Sequence, residues 1–175
     1  IIVLAVAILL MLGIGGMQLY RAETPGPVKD TKLKPRITET AKSLWYIYLG
    51  ITVACAASYC VAGMDVFDAI CHAFSTVAIG GFSTHDASLG FFDSPAIEGV
   101  AIFFMVLAGI NFSLHFGVLQ QRRLTPYLRD IEVRLYLAIL VVVALGATWI
   151  LGAYPEASTR PVRDALFQAV SIATT

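Results

Sequence analysis

Long apolar runs alternate with short polar stretches along this chain. Residues 1–20, 43–62, 96–120 and 135–152 are dominated by aliphatic and aromatic side chains. At about 1.5 Å per residue, each run is long enough to cross roughly 30 Å of hydrocarbon as a helix. A different kind of segment lies between the second and third runs. Residues 65–75 mix apolar with small or polar side chains at helical spacing, and S-T-V-A-I-G-G-F-S-T follows over residues 75–84. That pattern predicts a short amphipathic helix dipping partway into the bilayer, then irregular backbone. Such backbone persists at membrane depth only where protein buries it or where it lines a watery cavity. A strip of backbone carbonyls in that position replaces the water shell of a potassium ion. The expectation is a pore.

Composition supports the spans. The chain is 58% hydrophobic and 14% charged, with a mean hydropathy of +0.78, outside the usual range of soluble domains. Residue 1 falls inside an apolar run with no basic region before it, unlike a signal peptide. The chain ends inside a motif described below, so it reads as an internal fragment of a longer membrane protein.

Charge is distributed unevenly although it sums to zero. Arg21, Lys29, Lys32, Lys34, Arg36 and Lys42 fall after the first run, and Arg122, Arg123, Arg129 and Arg134 after the third. Residues 63–95 carry no Lys or Arg, only Asp65, Asp68, Asp86 and Asp93. Basic loops remain cytoplasmic, so the four runs are expected to pass in, out, in and out. The acidic stretch then forms an anionic outer surface that concentrates cations, with His85 and Asp86 as solvated residues at its mouth.

An internal repeat accompanies this layout. Asp68 to Ser75 (D-A-I-C-H-A-F-S) aligns at a constant offset with Asp164 to Ser171 (D-A-L-F-Q-A-V-S), sharing Asp, two Ala and Ser. Repeats of this kind are common in membrane transport proteins. The unit is an outer helix, a re-entrant pore helix, an extended loop and an inner helix. By this division residues 1–42 hold the last helix of a first repeat and a cytoplasmic linker. Residues 43–121 form a complete second repeat. Residues 122–175 hold a linker, then the outer and pore helices of a truncated third. One unit cannot enclose a pore, so several must surround an axis.

The residues expected to carry function are mostly backbone donors. The C-terminal end of the helix, near residues 75–77, directs partial negative charge toward a cation. Val77, Ala78, Ile79 and Gly80 are expected to be extended, with carbonyls toward the axis. Gly80 and Gly81 permit the backbone angles required. In the third run, Asn111 and His115 are four residues apart and expected on one helical face. Polar groups at that depth face the bundle or cavity, where helix-to-helix hydrogen bonding is the expected role. Glu98 opens the same helix at the interface. Cys55, Cys60 and Cys71 have no metal-ligand spacing and read as small buried hydrophobes. Two other classes compete with the pore. A carrier for another solute would place Asn111 and His115 in its binding site. An intramembrane enzyme would need a pair such as Cys60 and His115, and no further catalytic motif accompanies it.

The run S-T-V-A-I-G-G-F-S-T-H-D-A-S-L-G-F-F-D-S-P, with G-I-N-F-S-L-H-F in the next helix, resembles the potassium-uptake subunits of bacterial Trk systems. These belong to the Trk/Ktr/HKT superfamily. G-I-G-G-M-Q-L-Y-R-A-E-T-P-G-P-V-K-D and the terminal S-I-A-T-T are similar to the same proteins. The resemblance implies an all-α polytopic inner-membrane protein of four repeats around a pseudo-fourfold pore, and potassium as the transported ion with no organic cofactor. It matches Gly81 to the retained filter glycine of the second repeat. It matches Ala78, Ile79 and Gly80 to carbonyl donors, and Thr174 and Thr175 to the start of the third filter. Potassium ligation is thus expected at the carbonyls of Ile79, Gly80 and Thr175. Homodimers bound to a cytoplasmic nucleotide-sensing ring are the implied assembly.

Overall fold

The structure, a computed structural model, describes residues 37–121, 125–154 and 160–174. Among them all regular structure is helical: α1 (Ile37–Val61), α2 (Val66–Val77), a 3-10 turn (Ser88–Phe92), α3 (Pro95–Ala108), α4 (Phe112–Gln121), α5 (Thr125–Arg129), α6 (Ile131–Ala153) and α7 (Pro161–Thr174). The expected first span lies outside the described residues. The second and fourth become α1 and α6, the two described helices long and apolar enough to cross a membrane.

The third span is not continuous as expected. α3 ends at Ala108, capped by Gly109, and α4 restarts at Phe112. Asn111 explains the restart, because its side-chain oxygen accepts the Ser113 N–H at 3.0 Å, an N-cap bond. The apolar run reads as unbroken because Gly109 and Ile110 keep its apolar character and the lone Asn111 reads as a polar group facing the bundle rather than as a helix cap.

The chain divides into two compact units. One comprises residues 51–109 and 133–175, the other residues 1–50 and 110–132. In the first, α3 packs against α2, α7 and the 3-10 turn. Its centre holds Cys55, Tyr59, Ala69, His72, Ala73, Ala101, Ala165 and Ala169. The two alanines shared by the repeat motif are buried in both copies, Ala69 and Ala73 in α2, Ala165 and Ala169 in α7. Small side chains there let each short helix approach its neighbours closely. Of the cysteines only Cys55 is buried; Cys60 is exposed and Cys71 intermediate. α6 presents Leu135, Leu137, Ile139, Val141, Val142, Leu145 and Trp149 outward, a surface suited to lipid rather than water.

In the second unit, α4 packs on α5, and Leu44, Ile47, Ile110 and His115 are buried. Tyr48 lies 6.4 Å from Phe112 by ring centroids.

Candidate functional site

The site begins with how α2 starts and stops. Asp65 caps its N-terminus, its carboxylate accepting the Phe67 N–H at 3.1 Å. At the other end Ala78 N–H donates to Phe74 O (2.9 Å), Ile79 N–H to Thr76 O (3.3 Å) and Gly80 N–H to Ser75 O (2.8 Å). These last two bonds form a Schellman motif, which requires a left-handed residue and usually uses glycine. Here that residue is Ile79, at φ 55°. A side chain with a Cβ costs about 1–2 kcal/mol in this conformation, and strain of this kind concentrates at functional sites. Gly81 follows at φ 69°.

Val77 to Gly80 are therefore not an extended strip. Val77 is the last helical residue and Ala78 the helical cap, and Ile79 turns the chain. The helix continues because Phe74, Ser75 and Thr76 still find amide donors three to five residues on. Among the described residues, however, no hydrogen bond reaches the carbonyl oxygens of Val77, Ala78, Ile79 or Gly80. These acceptors stand together at the C-terminal end of a helix, where the helix dipole also favours a cation.

The loop beyond Gly81 is held by a polar ladder on α2. Asp68, His72 and Thr76 recur every four residues, hence on one helical face. Asp68 Oδ1 accepts from the Thr84 hydroxyl at 2.7 Å, and Oδ2 lies 3.0 Å from His85 Nε2. His72 Nδ1 is 2.8 Å from the Asp68 carbonyl, so this nitrogen carries the proton and donates. In the neutral ring Nε2 then accepts from the Ser83 hydroxyl at 2.9 Å. Ser83 Oγ in turn accepts the His85 N–H at 3.1 Å. His85 is stacked on Phe91, centroids 3.8 Å apart and planes 7° apart. It is a fixed part of the loop, not the solvated residue expected.

The His85 hydrogen bond and then the Thr84 hydroxyl hold the Asp68 carboxyl below its ordinary pKa. A lowered carboxylate pKa stabilises the fold above the ordinary value. That contribution is lost as pH falls through the lowered one.

Thr76 completes the ladder inward, sharing a buried hydrogen bond with Tyr59 of α1 at 2.8 Å. Tyr59→Phe leaves the Thr76 hydroxyl buried without this partner and is expected to cost about 1–3 kcal/mol. Adding Thr76→Val should recover most of that loss in a detergent melting assay, because both polar groups are then removed.

A second polar cluster joins α7 to α3. Arg163 Nε and Nη2 grip Glu98 at 2.5 and 2.6 Å, and Arg160 Nη1 meets Asp93 at 2.5 Å. The Glu98 bond raises the pKa of Arg163, while Arg160 lowers that of Asp93. Of the four aspartates expected to make the outer surface anionic, Asp93 is offset by Arg160, Asp68 is held as a carboxylate within the loop, and Asp65 and Asp86 remain exposed.

The other candidate residues are placed separately. Thr174 is the last residue of α7, its hydroxyl bonded to Val170 O at 2.8 Å; Thr175 lies outside the described residues. Asn111 is a cap rather than a partner of His115 on one helical face. His115 is buried, with Nδ1 2.5 Å from the Tyr127 hydroxyl of α5, the helix-to-helix bond expected of it. Sequence reasoning missed the roles of Tyr59, His72, Ser83, Thr84 and Arg163. Only the four-residue spacing of Asp68, His72 and Thr76 could have signalled part of this.

A family model described as TrkH, cation transport protein, matches residues 1–175. The chain belongs to the TrkH family. It is 56% identical over its whole length to the Trk system potassium uptake protein TrkH of Halomonas elongata and 55% to that of Escherichia coli K12. It is 46% identical over 88% of its length to the E. coli protein TrkG. The crystal structure of the potassium transporter TrkH from Vibrio parahaemolyticus matches 98% of the chain with a TM-score of 0.76 at 47% identity. The chain spans 36% and 37% of the H. elongata and E. coli TrkH proteins and 34% of the V. parahaemolyticus chain. These relatives are named as transporters rather than enzymes. Membership of this family of membrane transport proteins agrees with the two spanning helices.

Proposed function

We propose that this chain supplies part of the potassium path of a Trk-type uptake protein in the bacterial inner membrane. Selection rests on the carbonyls of Val77, Ala78, Ile79 and Gly80, with Gly81 permitting the left-handed backbone that follows them and Thr174 and Thr175 opening the equivalent strip of the next repeat. The observation that carries this reading is the group of carbonyls at the end of α2 that accept no hydrogen bond among the described residues, the strained Ile79 included. A backbone that accepts strain and leaves acceptors together suits an ion that supplies the missing contacts.

The repeat division into residues 1–42, 43–121 and 122–175 belongs to the same reading, supported by the matching burial of alanines in α2 and α7. Four such units around a pseudo-fourfold axis would enclose the path. A homodimer carrying a cytoplasmic nucleotide-sensing ring is the corresponding assembly, with the basic linkers on the cytoplasmic side. The carrier alternative loses ground because the Asn111 oxygen is engaged in capping and His115 is bonded to Tyr127.

Rubidium uptake by the complete polypeptide, in cells without their own potassium systems, tests this function. Competing potassium should suppress it far more than equal sodium. Equal suppression by both ions would reject carbonyl selection of potassium.

A further inference from the structure

We propose that Asp68 and Thr84 are positioning residues for ion selection, acting together through the loop that follows Gly81. This rests on the filter reading of residues 77–81 and extends it to side chains that need not touch the ion. A carbonyl strip discriminates ions only if its oxygens hold their spacing, and this one is anchored at both ends. On the near side the Schellman bonds tie Ile79 and Gly80 to α2. On the far side the chain re-emerges at Ser83, Thr84 and His85, and all three return to the same helix.

The far anchor is a ring of bonds through Asp68, His85, Ser83 and His72, with Thr84 as a further tie between the loop and the same carboxylate. The Asp68 carboxylate takes Thr84 and His85 on its two oxygens, and the Asp68 carbonyl takes His72. His72 reaches Ser83, which accepts the amide of His85. His72 is buried and Asp68 is largely covered at 17% side-chain exposure. The ring is therefore fixed against the pore helix rather than drifting in solvent. Only Gly81 and Phe82 separate the carbonyl strip from it. Releasing one member lets the loop relax at its outer end, and carbonyl spacing relaxes with it.

Hydrogen bonds to a charged group are among the stronger ones. Loss of the Thr84–Asp68 bond is expected to lower the preference for potassium over sodium by about tenfold. The experiment compares Asp68→Asn, Thr84→Val, Thr84→Ser and Gly81→Ser in the complete polypeptide. Potassium and sodium uptake are measured with the amount of protein in the membrane.

Asp68→Asn and Thr84→Val should lower the uptake ratio, while Thr84→Ser, which keeps the hydroxyl, should preserve it. If Asp68→Asn does not reach the membrane, Thr84→Val against Thr84→Ser decides. An unchanged ratio in Thr84→Val, or equal falls in uptake of both ions, overturns the positioning role. If Gly81→Ser alone changes the ratio, the filter stands and this inference fails. If Gly81→Ser also leaves it unchanged, both fail together.

Discussion

Replacing Gly81 by serine should lower the preference for potassium over sodium by about tenfold, with normal amounts of protein in the membrane. Gly81 adopts φ 69°, where a side chain with a Cβ adds about 1–2 kcal/mol of strain. Strain of that size corresponds to about a tenfold change in an equilibrium between loop geometries. The preceding residue pair cannot absorb it easily. Ile79 already holds a left-handed conformation, and Gly80 N–H is bonded to Ser75 O. The loop must therefore shift beyond Gly81 or abandon the Schellman bonds, and either change moves the carbonyls of residues 77–80. Uptake of the two ions, measured separately, checks the result. Unchanged uptake and ratio would mean that residues 77–81 are only a loop.

A second large effect is expected at the break of the third apolar run. A Cβ on Gly109 would collide with the Tyr136 hydroxyl of α6 and lie 3.1 Å from its ring carbon Cζ. Gly109 itself has helical angles, φ −71° and ψ −13°, so alanine suits the backbone and would by conformational entropy stabilise it by about 0.4–1 kcal/mol. Any net loss therefore reports the collision. Overpacking of this kind costs about 1–3 kcal/mol. Gly109→Ala should lower melting stability accordingly, and Tyr136→Phe in the same chain should restore part of it. The Tyr136 hydroxyl is buried and has no hydrogen-bond partner among the described residues, so removing it alone should be neutral or slightly stabilising. A stable Gly109→Ala protein would show that α3 and α6 separate freely at this point.

These two sites differ in how legible they were. α1 and α6 were readable because hydrocarbon demands a long apolar helix, and few other structures satisfy such a run. α2 was readable from its Asp65 cap, its helical spacing and its small hydroxylated end. Its end near Val77 was readable too, but the residues after it were expected to be extended, because a Schellman turn at Ile79 contradicts local preference: a β-branched residue rarely takes that role. The break at Gly109 was hidden for the opposite reason. Asn111 signals a helix start, yet in an apolar run it also reads as a polar group facing a cavity. Of the loop anchors, only the shared helical face of Asp68, His72 and Thr76 was legible, not what they hold. Asp68 meets Thr84 and His85 only once the chain has folded back over α2, and Arg163 meets Glu98 across 65 residues of sequence. Acidic residues counted along the chain consequently overstated the negative charge at the outer surface.

Rubidium located in a crystal structure of the complete polypeptide would show where the ion binds, because its anomalous scattering identifies the ion without relying on contacts. A peak coordinated by backbone carbonyls among residues 77–80, Ile79 and Gly80 foremost, is expected. A peak coordinated instead by side chains around Asn111 and His115, with none beside residues 77–80, would contradict carbonyl selection of potassium.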